Sequence, residues 1–135
     1  MERGIIQAVD HVRLEAPSAL RAQLEEELRW FYGELIGLVE QPPGKAGDDS
    51  EALSFRSEQR LKLTVVFVEN PTIDPVAIRM TYVVRSLRNA RASLGEQGFE
   101  VEMFTGQSRS DRALSTLDPI GHRVLIRQDG SLYGI

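Results

Sequence analysis

Read for its hydrophobic period, the chain gives one order of elements twice: a strand, a helix and three strands, then the same five again. "IIQAVDHVRLEA" alternates from Val9, with Val12 and Leu14 apolar between charged neighbours, and predicts a first strand. After Pro17, residues Leu20, Leu24, Leu28, Phe31 and Leu35 recur at helical spacing over 18–36, with Glu25, Glu26 and Glu27 mostly on the opposite, solvated face and Gly37 as the stop. "VEQPPGKAGDDSEALSF" starts as a short strand and becomes a loop, and "LSFRS" and "RLKLTVVFVE" follow as strands. "NPTIDP" separates the halves. The second half reads "AIRMTYVV" as a strand, "SLRNARASLGEQG" as a helix capped by Ser86 and left at Gly98, then strands in "FEVEMF", "RALSTLD" and "HRVLIRQ". This order predicts an α+β chain of two tandem βαβββ modules, about 4–70 and 75–128, with a short tail over 129–135. A ferredoxin-like sandwich is the other layout to weigh, but it has one strand fewer per helix, so the strand count favours the repeat.

At 135 residues the chain has the length of one domain, 1–135, with a core that needs no staples. It contains no cysteine, which excludes disulfides, thiolate metal sites and a thiol nucleophile, and leaves His11 and His122 as its imidazoles. A net charge of -4 argues against nucleic acid or an anionic membrane as partner, and charges interrupt the N-terminal stretch too early for a signal peptide or membrane span. A cytoplasmic location is the expectation.

"VDHVRLEAP", then "RWFYGELIGL", then "LDPIGHRVLI" together resemble the glyoxalase, bleomycin-resistance and extradiol-dioxygenase group, the vicinal oxygen chelate superfamily, over roughly residues 7–128. The residues also have local roles. Asp118, Pro119 and Gly121 suit a tight turn, the first by bonding the turn backbone. Phe31 offers a ring to the core, and Tyr32 is expected to turn its phenol toward the surface. The resemblance implies paired modules whose mixed sheets curve around a central pocket, with the helices outside. It also implies four metal-ligand positions, which fall on His11, Lys62, Arg79 and Leu125. His11 alone is an ordinary ligand. Lys62 and Arg79 repel a cation, Leu125 has no donor atom, and Glu69 lies seven residues along the strand from Lys62. No metal or other cofactor is therefore expected.

Side chains two apart share a strand face. His11 goes with Arg13, Lys62 with Arg60 and Thr64, Arg79 with Thr81, and Leu125 with Arg123 and Arg127. The opposite faces hold Val12, Leu14, Leu61, Leu63, Ile78, Met80, Tyr82, Val124 and Ile126, which the helices should cover. A basic face in an acidic chain suggests a site for a small anionic ligand, with His11, Arg13, Lys62, Thr64, Arg79, Thr81 and Arg123 as its residues. A wet sheet face needs no ligand, and pairing with Glu34, Glu69, Glu100 or Glu102 would explain the cations equally well. His122 reads as structural or exposed, and Trp30 as a core or interface aromatic.

The function expected is metal-independent binding of a small anion, by sequestration or sensing. The alternatives are a metal-dependent lyase, isomerase or dioxygenase with replaced ligands, proton-transfer catalysis by His11, or an interaction module. The resemblance further implies a homodimer, to which Trp30, Leu132, Tyr133 and Ile135 could contribute.

Overall fold

A computed structural model describes residues 10–42, 52–57, 61–78, 80–104 and 112–128. Arg60, Arg79, Leu132, Tyr133 and Ile135 lie outside the described residues. Two four-stranded mixed sheets are present, and each is built on the predicted βαβββ order.

In the first module β1 (Asp10–Pro17) leads into a helix, and β2 (Val39–Gln41), β3 (Leu53–Arg56) and β4 (Leu61–Val68) follow, in spatial order β1-β4-β3-β2. The second repeats it with β5 (Thr81–Val84), α2 (Leu87–Glu96), β6 (Glu102–Phe104), β7 (Ala113–Leu117) and β8 (Arg123–Gln128), in order β5-β8-β7-β6. β1 runs parallel to β4 and β5 parallel to β8, as a helix crossover requires.

Helix one has the predicted extent but three forms: a 3-10 turn over Ser18–Leu20, α1 over Arg21–Leu28, and a π-helical stretch over Arg29–Leu35. The wider last turns let the adjacent Phe31 and Tyr32 both reach full burial. Gly37 at φ +97° and Gly98 at φ +86° end the helices as expected. Ser86 caps α2 by accepting from the Asn89 N–H at 3.1 Å.

Three expectations need correction. Leu20, placed in the apolar stripe, is 48% exposed because the 3-10 turn rotates it outward. Strand five starts at Thr81, and Ile78 is 47% exposed, because Asp74 accepts from the Val76 and Ala77 N–H groups and holds that stretch as a turn. Tyr32 is fully buried rather than surface-directed.

The buried cluster joins Val12, Leu14, Leu28, Phe31, Tyr32, Leu63, Tyr82, Leu94, Val124 and Ile126, so the apolar strand faces and both helices share it. Trp30 packs against its edge, stacked on Phe99 at 5.8 Å between ring centroids. Among the described residues no helix is long and apolar enough to cross a membrane.

Candidate functional site

Strand register assembles the polar face of the first sheet in two rows. His11 lies beside Lys62, Lys62 beside Arg56, and Arg56 beside Val39. In the next row Arg13, Thr64, Ser54 and Gln41 stand in the same relation. Burial agrees, since these side chains are exposed or half-buried while Val12, Leu14, Phe55, Leu63 and Val65 behind them are buried. The four first-sheet residues expected from the sequence are thus brought together, and His11 Nε2 lies 3.2 Å from Thr64 Oγ1.

Arg56, Ser54 and Gln41 complete the face and were not anticipated. Alternation within "LSFRS" puts Ser54 and Arg56 on one side, but only the register of β3 against β4 shows which side.

Charge is unevenly settled on this face. Arg13 pairs with Glu15 at 3.3 Å, and Glu15 also accepts from the Thr72 N–H at 2.8 Å, which holds its carboxyl below the usual range. This bears out the pairing expectation for one cation, although with Glu15 rather than the glutamates considered. Lys62 and Arg56 have no carboxylate partner among the described residues. They sit directly opposite each other, where Cβ atoms are about 5 Å apart and like charges destabilise a sheet.

The second sheet offers a different face. Thr81 stands beside Leu125, Leu125 beside Ser115, and Ser115 beside Glu102. Arg123 is committed to structure: its Nε donates to the Pro75 carbonyl at 2.8 Å and one terminal nitrogen reaches Ser115 Oγ at 3.3 Å. That grip, with the Arg123 N–H on the Asp74 carbonyl at 3.2 Å, fastens the connection between modules. Arg79 lies outside the described residues.

The "LDPIGH" turn is a structural device, as its chemistry predicted. Asp118 Oδ1 accepts from the N–H groups of Ile120, Gly121 and His122 at 2.9 to 3.0 Å, and Gly121 adopts φ +119°. Asp118 Oδ2 accepts from the Tyr32 hydroxyl at 2.5 Å. Burial pushes the Asp118 carboxyl up, against the opposing pull of Tyr32 and the backbone donors. The same burial and the neighbouring carboxylate hold the Tyr32 and Tyr82 phenols well above their ordinary value. His122 is buried and structural, with Nε2 2.9 Å from the Glu15 carbonyl.

Two clefts flank these elements. One, of about 700 Å³, is lined by Glu26, Glu27, Trp30, Phe99, Glu100 and Arg123 among others, away from the first sheet's polar face. The other, of about 410 Å³, runs from Arg56 and Leu61 at the end of the first sheet to Met80 and Arg85. His11, Arg13, Lys62 and Thr64 line neither, so they form an open face beside the second cleft, which Arg56 alone of the two rows' cations enters.

No family model and no curated protein sequence matches the chain. Solved structures do. A Bacillus anthracis protein bearing a glyoxalase-family name superposes with a TM-score of 0.71 at 26% identity, over 95% of this chain and 99% of that one. Over nearly its whole length the chain is similar to structures across the glyoxalase, bleomycin-resistance and dioxygenase superfamily. A glyoxalase/dioxygenase of Nostoc punctiforme gives a TM-score of 0.68 at 18% identity, over 96% and 95% of the two chains. An antibiotic-binding protein of a Streptomyces species gives 0.62 at 20% identity, over 93% and 98%.

A metal is what this vicinal oxygen chelate architecture implies, and the described residues at the implied positions do not fit one. Of the implied positions, His11 can ligate, Lys62 stands between His11 and Arg56, and Leu125 stands between Thr81 and Ser115. Among the described residues no three His, Asp or Glu side chains gather to hold a metal ion. Thermal-shift titration with Mn²⁺, Ni²⁺ and Zn²⁺ is expected to give no saturable stabilisation. A saturable rise that disappears in His11→Ala would reverse the assignment.

Proposed function

We propose that this protein binds a small anionic molecule on the polar face of its first sheet, without a metal, and acts by sequestering or sensing it. Lys62 and Arg56 are the anchors. His11, Arg13 and Thr64 surround them, and Thr81, which lines the second cleft with Arg56, extends the site from the second module.

The observation that carries this reading is the Lys62–Arg56 pair: two cations facing each other across a ladder, with no carboxylate partner among the described residues. An anion between them would relieve the repulsion and accept hydrogen bonds from both, with the guanidinium suited to a two-pronged grip. Small-molecule binding by the Streptomyces neighbour supports the same use of the fold.

Methylphosphonate titrated by calorimetry at low ionic strength tests the proposal. Binding is expected to saturate and to weaken at least tenfold in both Arg56→Ala and Lys62→Ala, with unchanged circular dichroism. Affinity that survives both substitutions would sink the reading.

A further inference from the structure

The second cleft has a composition that narrows the ligand. Arg56 enters it from the first module and Arg85 from the second, and none of its lining residues is acidic. In a chain of net charge -4 this is a locally cationic cavity. Neither guanidinium has a carboxylate partner among the described residues.

Besides Ser57, Thr81 and Tyr82, the rest of the wall is apolar. Leu61 and Met80 are half-buried, while Val39 and Val83 are 62% and 50% exposed. Val39 ends the ladder row that runs through Arg56 and Lys62 to His11, so the apolar surface begins where the row of cations stops. A volume of about 410 Å³ is within the range of small-molecule pockets.

We infer that the ligand is an amphipathic organic anion: a carboxylate, phosphonate or sulfate head gripped by Arg56 at the mouth of the cleft, beside Lys62 on the adjoining open face, carrying an aliphatic or aromatic body that lies along Val39, Leu61, Met80 and Val83, with Arg85 at the far rim. The inference rests on the anion reading above and adds the apolar body to it. Burial of an aromatic ring at this wall covers apolar area on both partners, at about 25 cal/mol per Å². The acidic cleft beside Trp30 offers such a ligand no cation except the committed Arg123.

Calorimetry on the full chain with three probes separates the two ideas: methylphosphonate, phenylphosphonate and benzyl alcohol. Phenylphosphonate is expected to bind at least tenfold tighter than methylphosphonate, and benzyl alcohol to give no saturable heat. In the double variant Val39→Ser and Val83→Ser that preference should fall below about threefold while methylphosphonate affinity stays unchanged, since both positions are exposed and their loss leaves the core intact. Equal affinity for the two phosphonates, or a preference that survives the double variant, overturns the apolar body but leaves the anion site standing. Silence from both phosphonates overturns the anion reading and this inference together. Saturable benzyl alcohol binding as tight as that of phenylphosphonate would make the cleft a neutral apolar site and overturn the stated class.

Discussion

Asp118→Ala is expected to destabilise the protein by about 3–5 kcal/mol, measured by urea unfolding, which places it among the most damaging single substitutions. The side chain is 3% exposed and accepts from four donors: the Tyr32 hydroxyl and the N–H groups of Ile120, Gly121 and His122. Alanine takes this acceptor from the Tyr32 hydroxyl and from the Ile120 and His122 N–H groups in a place that water reaches poorly, while the Gly121 N–H keeps the backbone carbonyl of residue 118 at 3.0 Å, and each buried orphan costs about 1–3 kcal/mol. Tyr32→Phe removes one donor and should cost only about 1–2 kcal/mol. Asp118→Asn keeps the shape and tests the charge. Because burial raises the folded carboxyl above its unfolded value, its contribution is complete in acid and is lost as pH climbs through the folded value. The stability difference between the natural chain and Asp118→Asn should therefore shrink, or change sign, as pH rises from about 3.8. A difference that grows with pH would show that the four donors outweigh desolvation.

Lys62→Glu is expected to abolish phosphonate binding, weakening it at least a hundredfold, which corresponds to about 2.8 kcal/mol. Reversal does more than truncation. It removes one anchor, places a like charge beside the incoming anion, and gives Arg56 an ion-pair partner directly across the ladder. For the same reason the variant should be no less stable than the natural chain. Calorimetry and urea unfolding on one preparation check both outcomes. Binding retained within threefold of the natural chain would remove Lys62 from the site.

Much of the architecture was legible because its signals are periodic. The alternation through Val12 and Leu14, through Lys62 and Thr64, and through Val124 and Ile126 gave both the strands and the face each side chain takes. Stops at Gly37 and Gly98, the cap at Ser86 and the turn at Asp118 follow from local backbone chemistry, which a sequence carries in full. Contacts between distant segments were not legible. Nothing near Tyr32 reveals that its hydroxyl meets a carboxylate 86 positions later, and so its burial was missed. Arg56 was overlooked because pairing with Lys62 depends on the register of a strand whose flanking loop carries little pattern. Arg123 read as a ligand-binding residue from its face, yet its guanidinium is taken up by a carbonyl of the inter-module connection.

The parallel closure of each module also sets an order of events during synthesis. Asp10 pairs with Leu61 and Thr81 with Leu125, so β1 and β5 cannot join their sheets before the fourth strand exists, although β2–β3 and β6–β7 can pair earlier, and non-local pairing of this kind makes folding slow. The first sheet becomes complete while the chain for the second is still being made, since translation adds only about 5–20 residues per second. During that interval the Tyr32 hydroxyl has no Asp118 to meet, and the apolar faces of Val12, Leu14 and Leu63 lack the second module's share of the core. The nascent first half thus exposes apolar surface that is covered only once Tyr82, Leu94, Val124 and Ile126 of the second module have been added.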